Sequence, residues 1–282
     1  MRARVGARAA AALLACALLV TAGARAAAAA AAPSGSGAEA PPATSPRRAL
    51  FAPPEAPTSP AAPPPRRAGA PGARAVVIGH RGASGLLPEH TAAAYDLAVA
   101  GGADFIECDV QLTADLQMVC RHDQNLNETT DALDLFPGRA HTYTIDGEES
   151  SGVHLIDLTL AEVRTLRARQ RFPFRDQTHN GRYPLVTFSE FLALTAAARR
   201  VVGVYPETKH PAWHNALPQV RAANTTIQAM LVAALHAAGY GGRLDSAAWR
   251  ARPAYIQSFE LSSLKDMAAM TQLPLVLLLG GW

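Results

Sequence analysis

The sequence of 282 residues predicts an α/β domain with a parallel sheet and helices outside it, and three observations lead there. Beyond residue 74, short apolar runs alternate with stretches of helical periodicity, the pattern of strands joined by crossover helices. Three of the runs, 75–78, 103–106 and 118–119, each end in residues that can move protons or bind a cation, as sites on parallel strands do. The stretch beyond the low-complexity front, roughly two hundred residues, is long enough to bury one core.

The front end is of another kind. Arg2, Arg4 and Arg8 precede an apolar run from Ala9 to Val20, and Ala22-Gly23-Ala24 or Ala24-Arg25-Ala26 can serve as cleavage sites. Residues 1–32 are therefore expected to be a signal peptide, or a signal anchor if uncleaved. The run falls short of the roughly 20 apolar residues that a membrane span needs. Secretion is the expected destination, with an organelle transit peptide as the alternative because the leader is rich in Arg and Ala and poor in acids. Residues 33–74 are Ala, Pro, Ser and Gly with Arg47-Arg48 and Arg66-Arg67, a composition that cannot offset its ordering entropy and predicts a disordered linker.

Charge follows the same division. Up to Arg74 there are nine arginines against Glu39 and Glu55, and the remainder carries 17 basic and 21 acidic residues. The formal charge of +3 thus belongs to the leader, and nucleic-acid binding is not indicated for the domain. Three cysteines give no disulfide framework; Cys108 and Cys120 are expected to be buried, unbridged side chains on adjacent strands.

In chain order, 75–80 is the first expected strand and 89–100 a helix begun at Pro88-Glu89 and ended by Gly101-Gly102. Residues 103–109 and 117–121 are the second and third strands. An insertion at 125–182 breaks the alternation, with only a helical piece at 160–169 behind the capping box Thr159-Leu160-Ala161-Glu162. A helix at 187–198, a strand at 200–207, a helix at 224–238 and strands at 254–259 and 273–279 complete the domain, 75–282, with six strands.

Strand parity gives the chemistry its shape. Glu107 and Asp109 project to one face while Cys108 points away, and two carboxylates side by side call for a cation or a donor between them. Glu207 and Lys209 also share parity. With Glu207, the pair makes three carboxylates suited to a hard cation, Ca2+ or Mg2+; a structural network with Arg81, Arg121 and Lys209 accounts for the spacing equally well. His80 and His122 follow neighbouring strands and can act as general acid and base. Arg81 can offer a phosphate a two-pronged guanidinium, and Lys209 a point charge. Glu89 can cap its helix, Asp123 can orient His122, and His210 and His214 can line the pocket.

The runs His80-Arg81-Gly82-Ala83-Ser84-Gly85, Pro88-Glu89-His90-Thr91, Glu107-Cys108-Asp109, His122-Asp123 and Pro206-Glu207-Thr208-Lys209 resemble the glycerophosphodiester phosphodiesterases, especially the bacterial periplasmic type. The resemblance spans about 76 to 280. It implies a TIM-type (β/α)8 barrel, here reaching about six strands, with a divalent ion on Glu107, Asp109 and Glu207. It also implies an insertion that shapes the substrate pocket, and hydrolysis of glycerophosphodiesters to glycerol 3-phosphate and an alcohol. The rival expectations are a phosphodiesterase acting on intact lipid and a shortened, inactive remnant that keeps the metal. The expected partner is a small-molecule glycerophosphodiester, with membrane contact only through an uncleaved leader.

Overall fold

The structure is a computed structural model that describes residues 75–280. The expected signal peptide or anchor, the linker and Trp282 lie outside the described residues.

Among the described residues, eight strands run in the order β1 (Ile78–Gly79), β2 (Phe105–Leu112), β3 (Met118–Cys120), β4 (Ala140–Ile145), β5 (Glu148–Val153), β6 (Gly203–Thr208), β7 (Ile256–Ser258) and β8 (Leu275–Leu277). β1, β2, β6, β7 and β8 lie side by side in that sequence, all parallel, and β3 pairs with β2. The α/β class and the six-stranded sheet match expectation. Among the described residues the sheet is open, with β1 and β8 at its edges, so it forms part of a barrel. Val76, Val77 and Ile78 at the first edge are 41–58% exposed.

β2 is the hub. All eight of its residues are buried and it pairs with β1, β3 and β6. Alternation sends Ile106, Cys108 and Val110 outward and Glu107, Asp109 and Gln111 inward. The outward set joins the main core with Tyr95, Phe188, Phe191, Leu231 and Leu235, contributed by helices 92–100, 188–196 and 227–237. Tyr95 meets Phe191 edge-on at 4.8 Å, the geometry aromatic quadrupoles favour. On the inner face Gly203 lies against the Phe105 ring, where an added Cβ would stand 2.1 Å from the ring, so the close approach requires glycine.

Helix starts follow their caps. Thr159 with Glu162 and Thr187 with Glu190 form complete capping boxes, and Thr226 accepts from the Ala229 N–H. The first helix departs from expectation: it begins at Ala92 behind Thr91, because His90 has φ +57° and cannot continue a helix from Glu89. Glu89 is therefore free of a capping role.

Three other expectations need correction. β3 runs antiparallel to β2, since the turn closed by the Thr113 N–H to Gln117 O bond reverses the chain in too few residues for a crossover. Cys108 and Cys120, expected to be unbridged, form a disulfide: the antiparallel register, with Val110 opposite Cys120, brings their Cα atoms to 5.5 Å. The insertion is not patternless. It holds the β4–β5 hairpin, turned at Asp146-Gly147 with φ of +51° and +90°, and its own core around Leu126, Val153, Leu155, Leu158 and Leu166. Among the described residues no helix is long and apolar enough to cross a membrane.

Candidate active site

β1 ends at Gly79, and the chain turns over the rim through His80, Arg81 and Gly82. Gly82 has φ +80°, and a Cβ there would sit 2.7 Å from the Ala94 carbonyl carbon, so the loop can lie flat on helix 92–100 only with glycine. That turn points the Arg81 N–H at Glu107 Oε2, 2.7 Å away, and sets Arg81 Nε 3.4 Å from Asp109 Oδ2. The β2–β6 register places Asp109 beside Glu207. Two residues on, Lys209 Nζ lies 3.0 Å from Glu207 Oε1, 3.9 Å from Asp109 Oδ1 and 3.4 Å from His122 Nε2.

A third element enters that the strand pattern did not show. His90 is fully buried, with Nε2 2.9 Å from Asp109 Oδ2 and Nδ1 2.7 Å from the Tyr95 hydroxyl. Ligand atoms of His90, Glu107 and Asp109 all lie within 4.8 Å of one another. Glu107 Oε1 and Asp109 Oδ1 are buried with no hydrogen-bond partner. Burial, with repulsion from Asp109, pushes the Glu107 carboxyl well up, against the pull of the Arg81 N–H. Burial pushes Glu207 up to about 7, although Lys209 pulls it down. Asp109 is held low despite burial, by the His90 hydrogen bond and then Lys209. Unsatisfied carboxylate oxygens facing one another fit a hard divalent cation, whose charge would offset both the burial and the repulsion.

Across the rim lies the opposite situation. His122 Nδ1 is 2.6 Å from Asp123 Oδ1, and Arg171, from the insertion, reaches Asp123 Oδ2 at 2.5 Å and Glu89 Oε1 at 2.6 Å. Burial opposes ionisation of Glu89, but the Arg171 hydrogen bond and the Arg121 charge hold it at about 2. Asp123 is likewise depressed, by His122 and Arg171 against burial. Arg121 is completely buried and donates to the carbonyls of Glu89 and Thr129. His80 stands exposed at the rim; partial desolvation and the Arg81 charge lower its pKa.

A cavity of about 520 Å³ opens beside Asp123 and Arg171 and is walled by Asn125, Asp146, Ser150 and His210. The insertion thus forms one wall of the site. His210 lines the cavity and pairs with Asp146 at 2.6 Å, whereas His214 is buried beneath it, held by Lys209 O and Gln124. Burial lowers His214 to about 4, a structural imidazole.

Of the residues singled out from sequence, Glu107, Asp109, Glu207, Arg81, Lys209, His80 and His122 all come to one rim. Glu207 pairs with Lys209 while staying beside Asp109, and the ligand atoms that cluster within 4.8 Å are those of His90, Glu107 and Asp109. Arg171 was missed because it lies 48 residues beyond Asp123 in a segment without period. The signal for His90 was present in Pro88-Glu89-His90-Thr91, but only the +57° turn shows that it folds inward.

Carboxylates facing one another, two imidazoles and a guanidinium-lined cavity at the strand ends have the chemistry that a phosphate ester and a divalent ion call for. The chain belongs to the glycerophosphoryl diester phosphodiesterase family, whose profile matches residues 80–281. It is 42% identical over 205 residues to the glycerophosphodiester phosphodiesterase GDPD6 of Arabidopsis thaliana, covering 72% of this chain and 55% of that protein. It is 33% identical over 205 residues to the glycerophosphodiester phosphodiesterase of Haemophilus influenzae, covering 67% and 51%. The chain thus spans little more than half the length of these relatives. Among solved structures it is similar to a glycerophosphodiester phosphodiesterase from Agrobacterium tumefaciens, at 23% identity and a TM-score of 0.46, covering 70% of this chain and 65% of that one.

Proposed function

We propose that the chain hydrolyses glycerophosphodiesters to glycerol 3-phosphate and an alcohol such as choline or ethanolamine. The observation that carries this reading is the pair of buried, unpartnered carboxylate oxygens on Glu107 and Asp109, at the rim shared by His80 and His122. Glu107 and Asp109 would hold the divalent ion, Ca2+ or Mg2+, with Glu207 completing the set and His90 fixing the Asp109 carboxylate. Such an ion, when bound, neutralises phosphate charge and lowers the pKa of an oxygen it contacts.

The chain's own residues supply the rest. Arg81 and Lys209 offset the negative charge of the phosphodiester. One imidazole of His80 and His122 takes the proton of the attacking hydroxyl, and the other delivers a proton to the departing alkoxide. Attack by the glycerol 2-hydroxyl breaks the bond to the leaving alcohol and forms a cyclic phosphate, which water then opens to glycerol 3-phosphate. Asp123 holds Nδ1 of His122 and so directs Nε2 toward Lys209 and the substrate. The cavity against the insertion would take the leaving alcohol.

The order of basic residues, apolar run and small residues in 1–32 supports delivery of this domain, 75–282, into the secretory pathway, with an organelle as the alternative. The Cys108–Cys120 bridge suits an oxidising compartment.

The test is release of glycerol 3-phosphate from glycerophosphocholine by the full chain, with Ca2+, with Mg2+ and with chelator. Release that depends on either ion is expected. A folded protein that releases none under any of these conditions overturns the assignment.

A further inference from the structure

One surface feature beside the site has no part in that chemistry. Phe172 and Phe174 stack with ring centroids 5.3 Å apart and 12° between their planes, yet Phe174 is 81% exposed and Phe172 40%. Two neighbouring aromatic rings held in water are costly unless something covers them. The loop that carries them is braced. Gln177 Nε2 donates to the carbonyls of Phe172 and Arg175, and the Arg175 guanidinium lies 4.8 Å over the Phe172 ring.

The loop is also tied to the mouth of the site. Arg175 Nη1 donates to Ser84 O at 2.8 Å and Gln170 Nε2 to the same oxygen at 3.3 Å, in the turn that follows His80 and Arg81. In that turn Leu86 is 63% exposed. Arg171, one residue before Phe172, is the cation that holds Glu89 and Asp123.

Charge selects the occupant. Residues 169–182 carry Arg169, Arg171, Arg175 and Arg182 against the single acid Asp176. Arg169 and Arg171 are spent on Asp134, Glu89 and Asp123, while Arg175 and Arg182 have no carboxylate within ion-pair distance among the described residues. Exposed aromatic rings beside Arg175, whose guanidinium bonds to Ser84 O and stacks on Phe172 without a carboxylate to neutralise it, match the headgroup boundary of an anionic bilayer, where rings enter the interface and guanidinium groups meet lipid phosphate. A cationic partner would be repelled by Arg175, and a neutral apolar partner would leave its charge unused.

We infer that the loop around Phe172–Arg175 docks on an anionic lipid surface and brings the mouth of the site against the headgroup layer. Domain charge beyond residue 74 is net negative, so the attraction is local to this loop and its orientation follows from it. The docking does not depend on the proposed hydrolysis and can be measured without it.

The experiment uses the full chain and vesicles of equal parts phosphatidylcholine and phosphatidylglycerol, with phosphatidylcholine vesicles as the control. Co-sedimentation with the anionic vesicles is expected to weaken about tenfold in the F172A/F174A variant, and to weaken further as salt is raised. Phe172 and Phe174 are 40% and 81% exposed and belong to no core cluster among the described residues, so neither substitution should affect folding, and turnover of soluble glycerophosphocholine should be unchanged. In a second variant, Phe174→Trp, the added indole should shift its emission to the blue on anionic vesicles only. Equal binding by wild type and F172A/F174A would show that the leader or another surface carries the attachment and overturns the inference. It is equally overturned by an indole spectrum that ignores vesicles, or by a loss of self-association in F172A/F174A with vesicle binding intact, which would make the patch an interface between copies.

Discussion

Glu107 and Glu89 are both glutamates, both 1% exposed, and belong to one site, yet their environments drive them in opposite directions. Glu107 sits buried among Asp109 and Glu207 with only Arg81, through its N–H and its charge, for support, and its carboxyl is pushed up. Glu89 is gripped by Arg171 with Arg121 behind it, and is held at about 2. Burial alone therefore does not set the charge of a carboxylate here; the count of nearby cations does. The Glu107 half is short of positive charge and fits an incoming ion, whereas the Glu89 half is closed by the protein's own arginines and serves as the frame that positions His122.

Substitutions that remove the ion from the first half should have the largest effect. E107A is expected to lower turnover of glycerophosphocholine on the order of a thousandfold, since a catalytic metal is worth several kcal/mol of transition-state stabilisation. H80A and H122A should each cost about a hundredfold or more while leaving the circular dichroism spectrum and the metal affinity unchanged. Turnover that survives in both would remove the acid–base assignment.

The second half should show itself in stability more than in metal binding. R171A strands Glu89 and Asp123 without their guanidinium and should lower unfolding stability in urea by about 3 kcal/mol. A loss confined to activity, with stability intact, would blur the distinction between the halves. Acid supplies a gentler probe. Glu89 titrates at about 2 in the folded chain against an ordinary 4.5, so its contribution is fully present above about pH 4.5 and is lost as pH falls toward 2. That contribution is on the order of 3 kcal/mol and should be absent from the acid unfolding curve of E89Q.

The two halves differed in how far they could be read from sequence, for a physical reason. Glu107, Asp109, Glu207 and Lys209 lie on regular strands, where a period of two states which side chains share a face, so their convergence was legible before any coordinates. Arg171 and His90 act from irregular backbone, one in a long insertion and the other at a left-handed turn, where spacing carries no direction. The Cys108–Cys120 bridge was hidden by a single topological choice. With β3 taken as parallel the two cysteines are only neighbours in a core, but the antiparallel turn at Thr113–Gln117 places them face to face. Asp146-Gly147 was a readable hairpin signal that the apparent disorder of the surrounding composition masked.

The central claim is that the Glu107 half is built for a cation. Calorimetric titration of Ca2+ and Mg2+ into the chelator-treated full chain tests it most directly, with E107Q as the comparison. The account predicts a single saturable site for at least one of the two ions in the wild type, lost in E107Q and retained in E89Q. No heat of binding for either ion in a folded wild-type chain, or binding of equal strength in E107Q, would contradict it.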